Sequence, residues 1–317
     1  MRTYYFLKQG QSLQRISLEG DPPGVVEVLP IGPIGSDCKV NVSFNLDGAG
    51  LAPSILCHDR LSGTVFYFWD NGGKYERSPV LGQIPPEWQL QMFRVFDYGG
   101  TQIFGHYRGS NPDHPDYGRV QIWNVNNFSN PFRLGNINGQ FELMLGDVNG
   151  DSSIDIVGRR IFDTALGRQG DLAVWYMGLD SRGPYITEVL ADRGNIGLAW
   201  KIQVADMNSD GYADIFGYNE AGDLWVWHNV ADAKGKRGLF NAGHSYGKLG
   251  SDWQDLQVTS LRTAFPPSVD ILGLAPSNGE VHGWFTNGTG IIDAGVTVGS
   301  NARNWIPVAG LPQTRFV

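Results

Sequence analysis

A chain of 317 residues with 43 Gly, 17 Pro and a formal charge of −8 has the composition of many short strands and tight turns rather than of helices. Its acidic balance argues against nucleic acid as a partner, since phosphate contacts need clustered Lys and Arg. No apolar run has the length of a bilayer-crossing helix, so no membrane partner is expected either.

Taken in chain order, residues 1–8 carry an apolar stretch too short for a signal-peptide core and no small-residue cleavage site. A cytoplasmic address is therefore expected, with secretion left open if a leader has been removed. Residues 4–7, 13–18 and 25–29 alternate as three short strands. The two cysteines, Cys38 and Cys57, fall on one hairpin but are offset along it. Two buried thiols are expected rather than a bridge.

From residue 69 onward the chain repeats. Trp69, Trp123, Trp175, Trp227 and Trp284 each end a short alternating strand, at gaps of 52 to 57 residues. Trp88, Phe141, Trp200, Trp253 and Trp305 each open an apolar strand in the same phase. A third landmark is an apolar pair followed by glycine: Ile103-Phe104-Gly105, Ile156-Val157-Gly158, Ile215-Phe216-Gly217 and Ile271-Leu272-Gly273. Landmarks sharing one period identify a modular array.

Each unit parses into four strands, A to D; the clearest is A at 200–205, B at 213–218, C at 223–228 and D near 239–246. Radially arranged four-stranded units are propeller blades. Residues 304–311 are a lone strand A, and the N-terminal segment supplies the B, C and D it lacks. The expectation is all-β: a six-bladed β-propeller over residues 1–317 as one domain, with N-terminal strands B–C–D and C-terminal strand A closing the last blade. Such closure removes the exposed edges of an open array.

Two A–B turns carry a repeated acidic motif. Asp147-Val-Asn149-Gly-Asp151 through Asp155 returns 59 residues on as Asp206-Met-Asn208-Ser-Asp210 through Asp214. Calcium takes six to eight oxygen ligands. Asp147, Asn149, Asp151 and Asp155 would cage one ion and Asp206, Asn208, Asp210 and Asp214 another, with a backbone carbonyl from Ser153 or Tyr212. In the other units the loop has decayed: Asn45 and Asp47 keep two oxygens and Asp97 one. The ions are expected to be structural.

These loops, each followed by an apolar pair and glycine, resemble the FG-GAP/VCBS repeat family, calcium-loop propellers related to integrin α-subunit heads. The resemblance is carried by 147–158 and 206–217, and by spacing alone elsewhere. It implies a calcium-stabilised propeller. Related propellers serve as lectins and as interaction platforms.

Strand alternation places the calcium loops on one face and the starts of the A strands on the other, which is the expected functional mouth. There Trp88, Phe141, Trp200, Trp253 and Trp305 are expected to wall a hollow. Residues at the ends of the B strands differ between units and so mark a grafted function. His58 and His106 are the acid–base candidates, since imidazole titrates near neutrality. Asp59 and Glu220 would orient or relay, and Arg60, Arg108, Arg159 and Arg160 would hold an anionic or enolic oxygen. No nucleophile elbow, phosphate-binding glycine loop, zinc spacing or dinucleotide fingerprint occurs.

Three functions fit this arrangement. The first is a cofactor-independent enzyme of cyclase, isomerase or lyase type, acting by proton transfer on an apolar or polyphenolic small molecule. The second is a carbohydrate-binding lectin, and the third a protein-interaction platform. A monomer is expected.

Overall fold

A computed structural model describes residues 3–9, 11–19, 24–34, 37–43, 54–72, 74–95, 100–165, 167–240, 243–259, 269–275, 277–291, 295–299 and 306–307. Within these residues the chain forms strands and turns and no helix, so no helix is long and apolar enough to cross a membrane.

The strands run β1 (Thr3–Gln9), β2 (Ser12–Glu19), β3 (Gly24–Pro33), β4 (Cys38–Ser43), β5 (Ser54–Asp59), β6 (Thr64–Asp70), β7 (Tyr75–Arg77), β8 (Gly82–Gln83), β9 (Trp88–Val95), β10 (Gly100–Tyr107), β11 (Arg119–Asn124) and β12 (Asn127–Asn136). They continue as β13 (Phe141–Gly146), β14 (Asp155–Arg160), β15 (Leu172–Asp180), β16 (Gly183–Leu190), β17 (Lys201–Ala205), β18 (Asp214–Tyr218), β19 (Asp223–Trp227), β20 (Gly243–Lys248), β21 (Gln254–Thr259), β22 (Asp270–Ala275), β23 (Glu280–Trp284), β24 (Val296–Gly299) and β25 (Ile306–Pro307).

Among the described residues all pairing is antiparallel, in five four-stranded sheets and one of five strands, β4–β8, where β8 pairs β6 beside β7. The sheet β25-β1-β2-β3 joins the two ends of the chain: Lys8 pairs with Ile306 and Leu7 with Pro307. Neighbouring sheets pack through β4 on β9, β12 on β16, β13 on β17 and β17 on β21, and both β7 and β24 touch β3. This is an all-β propeller arrangement.

The apolar pair of each B strand explains the core. Successive side chains of a strand point to opposite faces. Ile156 packs with β9–β13 residues such as Phe93, Phe104 and Leu143, whereas Val157 packs with Val204 and Ile215 of the following sheet. Ile215 and Phe216 divide in the same way. Both faces of a B strand are thus dry, which is why the pair is continuous rather than alternating with polar residues.

One sequence reading shifts. The last strand of the 200s unit is Gly243–Lys248 rather than 239–246. Residues before it form a loop closed by a Val230–Leu239 bridge and held by buried Asn229, which accepts from Gly238 N and donates to Val148 O and Ala213 O. Cys38 and Cys57 are both buried, with Cys38 opposite Asp59 and Cys57 opposite Val40.

Candidate functional site

In four of the sheets the repeated aromatics form one packing unit, whereas in β4–β8 Trp69 stands against Tyr67. Trp200 stands edge-on to Trp227, with centroids 5.4 Å apart and planes at 86°. Trp88 meets Trp123 at 5.1 Å and 82°, Phe141 meets Trp175 at 5.4 Å and 86°, and Trp253 meets Trp284 at 4.7 Å and 89°. Edge-on geometry sets the positive ring edge on the negative face of its partner. The glycine of the B strand lies beneath the C-strand ring. A Cβ on Gly217 would come within 2.7 Å of Trp227, and one on Gly158 within 2.6 Å of Trp175. The landmarks are therefore a single stack: glycine, ring, ring.

This corrects the reading of those aromatics as walls of a hollow. Trp88 and Phe141 are buried, Trp200 and Trp253 are half-buried, and none of them lines the axial cavity described below. Trp305 lies outside the described residues, as do Asn45, Asp47 and Asp97.

The proposed catalytic imidazoles are also re-placed. His58 and His106 are each 1% exposed. The Nε2 of His58 is 2.8 Å from the carbonyl of Ile84, and that of His106 is 2.8 Å from the carbonyl of Ile137. Because a carbonyl only accepts, each Nε2 carries the proton. In both cases the carbonyl lies in the linker leading to the next A strand. Burial, only partly offset by the carbonyl, pushes His106 down to about 4 and also lowers His58, with Arg108 and Arg60 adding to the effect. Both rings are neutral linker clamps. At the equivalent position of the next sheet Arg159 does similar work, donating to the Trp200 carbonyl at 2.7 Å and to Glu142 at 2.6 Å. Strand ends were read as mouth; the linkers fold over them.

Of the remaining candidates, Arg60 and Arg108 line one space described below, whereas Asp59, Glu220 and Arg160 do not line it. Asp59 Oδ1 accepts from the backbone N–H of Leu61 and Ser62, which holds its carboxyl below the ordinary range. Glu220 is exposed in the turn between β18 and β19. The Arg160 guanidinium lies over the Phe141 ring, 4.6 Å from its centroid, and donates to Thr164.

The cavity lies instead where the A strands converge. A space of about 280 Å³ is bounded by β4, β9, β13 and β17, with Lys39, Asn41, Gln89, Gln91, Glu142 and Gln203 as its polar lining and Met92 and Met144 among the apolar residues. Carboxamides also clasp one sheet to the next. Gln91 donates to the Leu143 carbonyl at 2.7 Å, and Gln203 donates to Leu256 O and accepts from Val258 N. Where Gln91 and Gln203 stand, the intervening sheet has Met144, which leaves a break in the clasp at the cavity wall. The sequence reading missed these residues. The signal was present: Gln89, Gln91, Glu142 and Gln203 are polar positions inside otherwise apolar inner strands.

At one end of the cavity the charge is positive. Arg108 donates to Gln89 Oε1 at 2.9 Å, and Arg60 donates to the Trp88 carbonyl at 3.3 Å. Lys39 is exposed on the cavity wall, yet protein lies closely around its ammonium. That enclosure, followed by Arg60 and Arg108, lowers it from the usual ammonium range, while Glu142 acts in the opposite direction.

The two acidic loops share one winding. Positions four and six are left-handed in both, as Gly150 (φ 76°) and Ser152 (67°) in one loop and Ser209 (60°) and Gly211 (86°) in the other. Asp147 accepts from Gly150 N and Ser152 N; Asp155 accepts from Val148, Asn149 and Met177 N. Asp206 and Asp214 repeat the pattern, and His228 lies 3.2 Å from Asp214. Burial pushes Asp147 up to about 6, Asp155 to about 7 and Asp206 to about 6, and raises Asp214. An all-oxygen donor set of buried carboxylates met mainly by neutral N–H groups suits a hard dication. Among the described residues no three acidic, His or Cys side chains converge as a formed metal cluster, so Asp151 and Asp210 would have to turn inward to complete one.

The comparisons with known proteins agree on fold and leave function open. No protein-family model matches the chain, and no curated protein matches it. Solved structures that resemble it include a chain of the nidogen/laminin complex (TM-score 0.54, 9% identity, 96% of each chain covered). The Aleuria aurantia lectin, solved with α-methyl-L-fucoside, is similar at TM-score 0.53 and 13% identity, over 97% of this chain and 90% of the lectin. A functionally unknown protein from Desulfotomaculum acetoxidans matches at TM-score 0.50 and 12% identity, over 96% of this chain and 84% of that one. At these identities the likeness is one of propeller architecture.

Proposed function

We propose that the chain is a closed six-bladed propeller of the FG-GAP/VCBS kind, fastened by calcium at loops 147–155 and 206–214, that acts on a small polar molecule held in its axial channel. The observation that carries this reading is the 280 Å³ space whose polar lining differs from sheet to sheet, unlike the repeated aromatic stacks around it. A few convergent polar groups in a concave, otherwise apolar wall are the usual form of a small-molecule site.

For the enzyme reading, Lys39 replaces the buried imidazoles as the acid–base group. An ammonium lowered from its ordinary value, as burial lowers Lys39, gives up its proton more readily. The calcium ions would be held by Asp147, Asn149, Asp151 and Asp155, and by Asp206, Asn208, Asp210 and Asp214; their contribution is to the rigidity of the A–B turns.

Carbohydrate binding is the second reading. It is favoured by the carboxamides of Asn41, Gln89, Gln91 and Gln203 along the channel, because amides both donate to and accept from hydroxyl groups. Met144→Trp, which fills the channel, separates channel function from any use of the outer faces. Binding or turnover that survives this change in a folded variant would count against the channel as the site.

A further inference from the structure

A second space of about 270 Å³ opens at the mouth between the sheets β4–β8 and β9–β12, lined by Arg60, Glu87, Gln89, Arg108 and Ser110 among others. Gln89 borders both this space and the axial cavity. The two are therefore neighbours, meeting at one side chain.

Charge distinguishes the mouth from the rest of an acidic protein. Arg60 and Arg108 line this space and Lys39 lines the axial cavity it adjoins, and among the described residues no carboxylate forms an ion pair with any of them. The nearby acids are mostly committed elsewhere: Glu142 to Arg159 at 2.6 Å, and Asp59 to the N–H groups of its own turn. Glu87 is the one carboxylate in the lining. Each guanidinium is steadied by a single bond, Arg60 to Trp88 O and Arg108 to Gln89 Oε1, which leaves the other donors of each fork available.

We propose that this mouth is an oxyanion site, where a carboxylate or phosphate group of the channel ligand docks between Arg60 and Arg108, with Lys39 facing it from the channel wall. The inference rests on the channel reading and adds the ligand's charge to it. Guanidinium forks match the planar, bidentate geometry of carboxylate and phosphate oxygens. A bound anion also relieves the mutual repulsion that helps to depress Lys39, restoring its ammonium. A local positive mouth on a chain of net charge −8 would draw anions to this one opening.

The test uses the full chain with inorganic phosphate and acetate as probes, read by calorimetry and by the thermal midpoint at low ionic strength. Saturable phosphate binding is expected, weakening with added NaCl as screening sets in. It should fall by about tenfold or more in both Arg108→Gln and Lys39→Gln and remain unchanged in Arg182→Gln, whose exposed guanidinium pairs with Asp180. Lys39→Gln guards against misfolding of the arginine variant, since among the described residues the Lys39 side chain makes no hydrogen bond or ion pair and its backbone pairing with His58 is kept in the variant. Acetate bound more tightly than phosphate would assign the site to carboxylates; the reverse order would assign it to phosphates. Absent binding, or binding unaffected by Arg108→Gln and Lys39→Gln, overturns the proposal. Met144→Trp should retain the phosphate site, so failure of the channel reading and failure of the mouth site appear in different variants.

Discussion

The imidazole of His106 donates from Nε2 to the carbonyl of Ile137, and its Nδ1 is buried with no hydrogen-bond partner. Protonating that second nitrogen would bury an unpaired N–H beside the Arg108 charge. Folding therefore favours the neutral ring, and the folded value of about 4 lies below the ordinary 6.5. The sign follows from linkage: between these values the unfolded chain binds the proton and the folded one does not, so stability falls as pH drops through this window. His58, with the same bond and the same orphaned Nδ1, shifts in the same direction. Asp147, Asp155 and Asp206, raised by burial, act in the opposite direction over the same range, so the test is a difference: the advantage of the wild-type chain over His106→Gln in thermal midpoint should shrink from pH 7 toward pH 4.5.

The glycine beneath each tryptophan gives a local prediction. In Gly217→Ala the new methyl meets the face of Trp227 at 2.7 Å, whereas one at Gly197 meets nothing within 4 Å. Overpacking a filled core costs roughly 1–3 kcal/mol. Denaturant titration should show that loss for Gly217→Ala and little change for Gly197→Ala. Equal effects would mean that the ring does not depend on the missing Cβ.

Ser152 holds a left-handed backbone (φ 67°) where the companion loop has Gly211 at the same position. An L-residue pays about 1–2 kcal/mol for that conformation, partly offset by the greater freedom of an unfolded glycine. Ser152→Gly should therefore raise the thermal midpoint modestly. A clear drop would show that the hydroxyl, not the backbone, governs the turn.

Calcium should stabilise the folded chain, and chelation should lower its midpoint, because a ligand bound only by the native state adds stability by mass action. The two loops touch: Ala213 N donates to the Asp147 carbonyl at 2.7 Å, and a Cβ on Gly150 would reach the Tyr212 ring. Asp147→Asn should accordingly weaken the calcium response of both loops rather than of one. A midpoint indifferent to calcium and to chelator removes the metal from the account.

The sheet order was legible because its markers are chemical necessities. An apolar pair serves two dry faces, and in four sheets a glycine underlies the ring, so Ile215, Phe216 and Gly217 can be recognised at any distance along the chain. The site was less legible. His58 and His106 are polar groups at strand ends, and sequence alone does not reveal that a linker carbonyl folds over each one. Lys39, Gln91 and Gln203 were hidden for the opposite reason: they sit inside strands that read as structural, and only the convergence of four such strands makes a cavity of them.

The axial channel as the working site is tested most directly by methyl NMR on the methionines. Met92 and Met144 border the channel, whereas Met177 and Met207 pack in cores between the sheets. Titrating the calcium-loaded chain with small polar carboxylates, phosphates and neutral sugars should move the Met92 and Met144 methyl signals and leave those of Met177 and Met207 in place. A ligand that binds saturably while Met92 and Met144 stay still would place the site elsewhere and contradict the account.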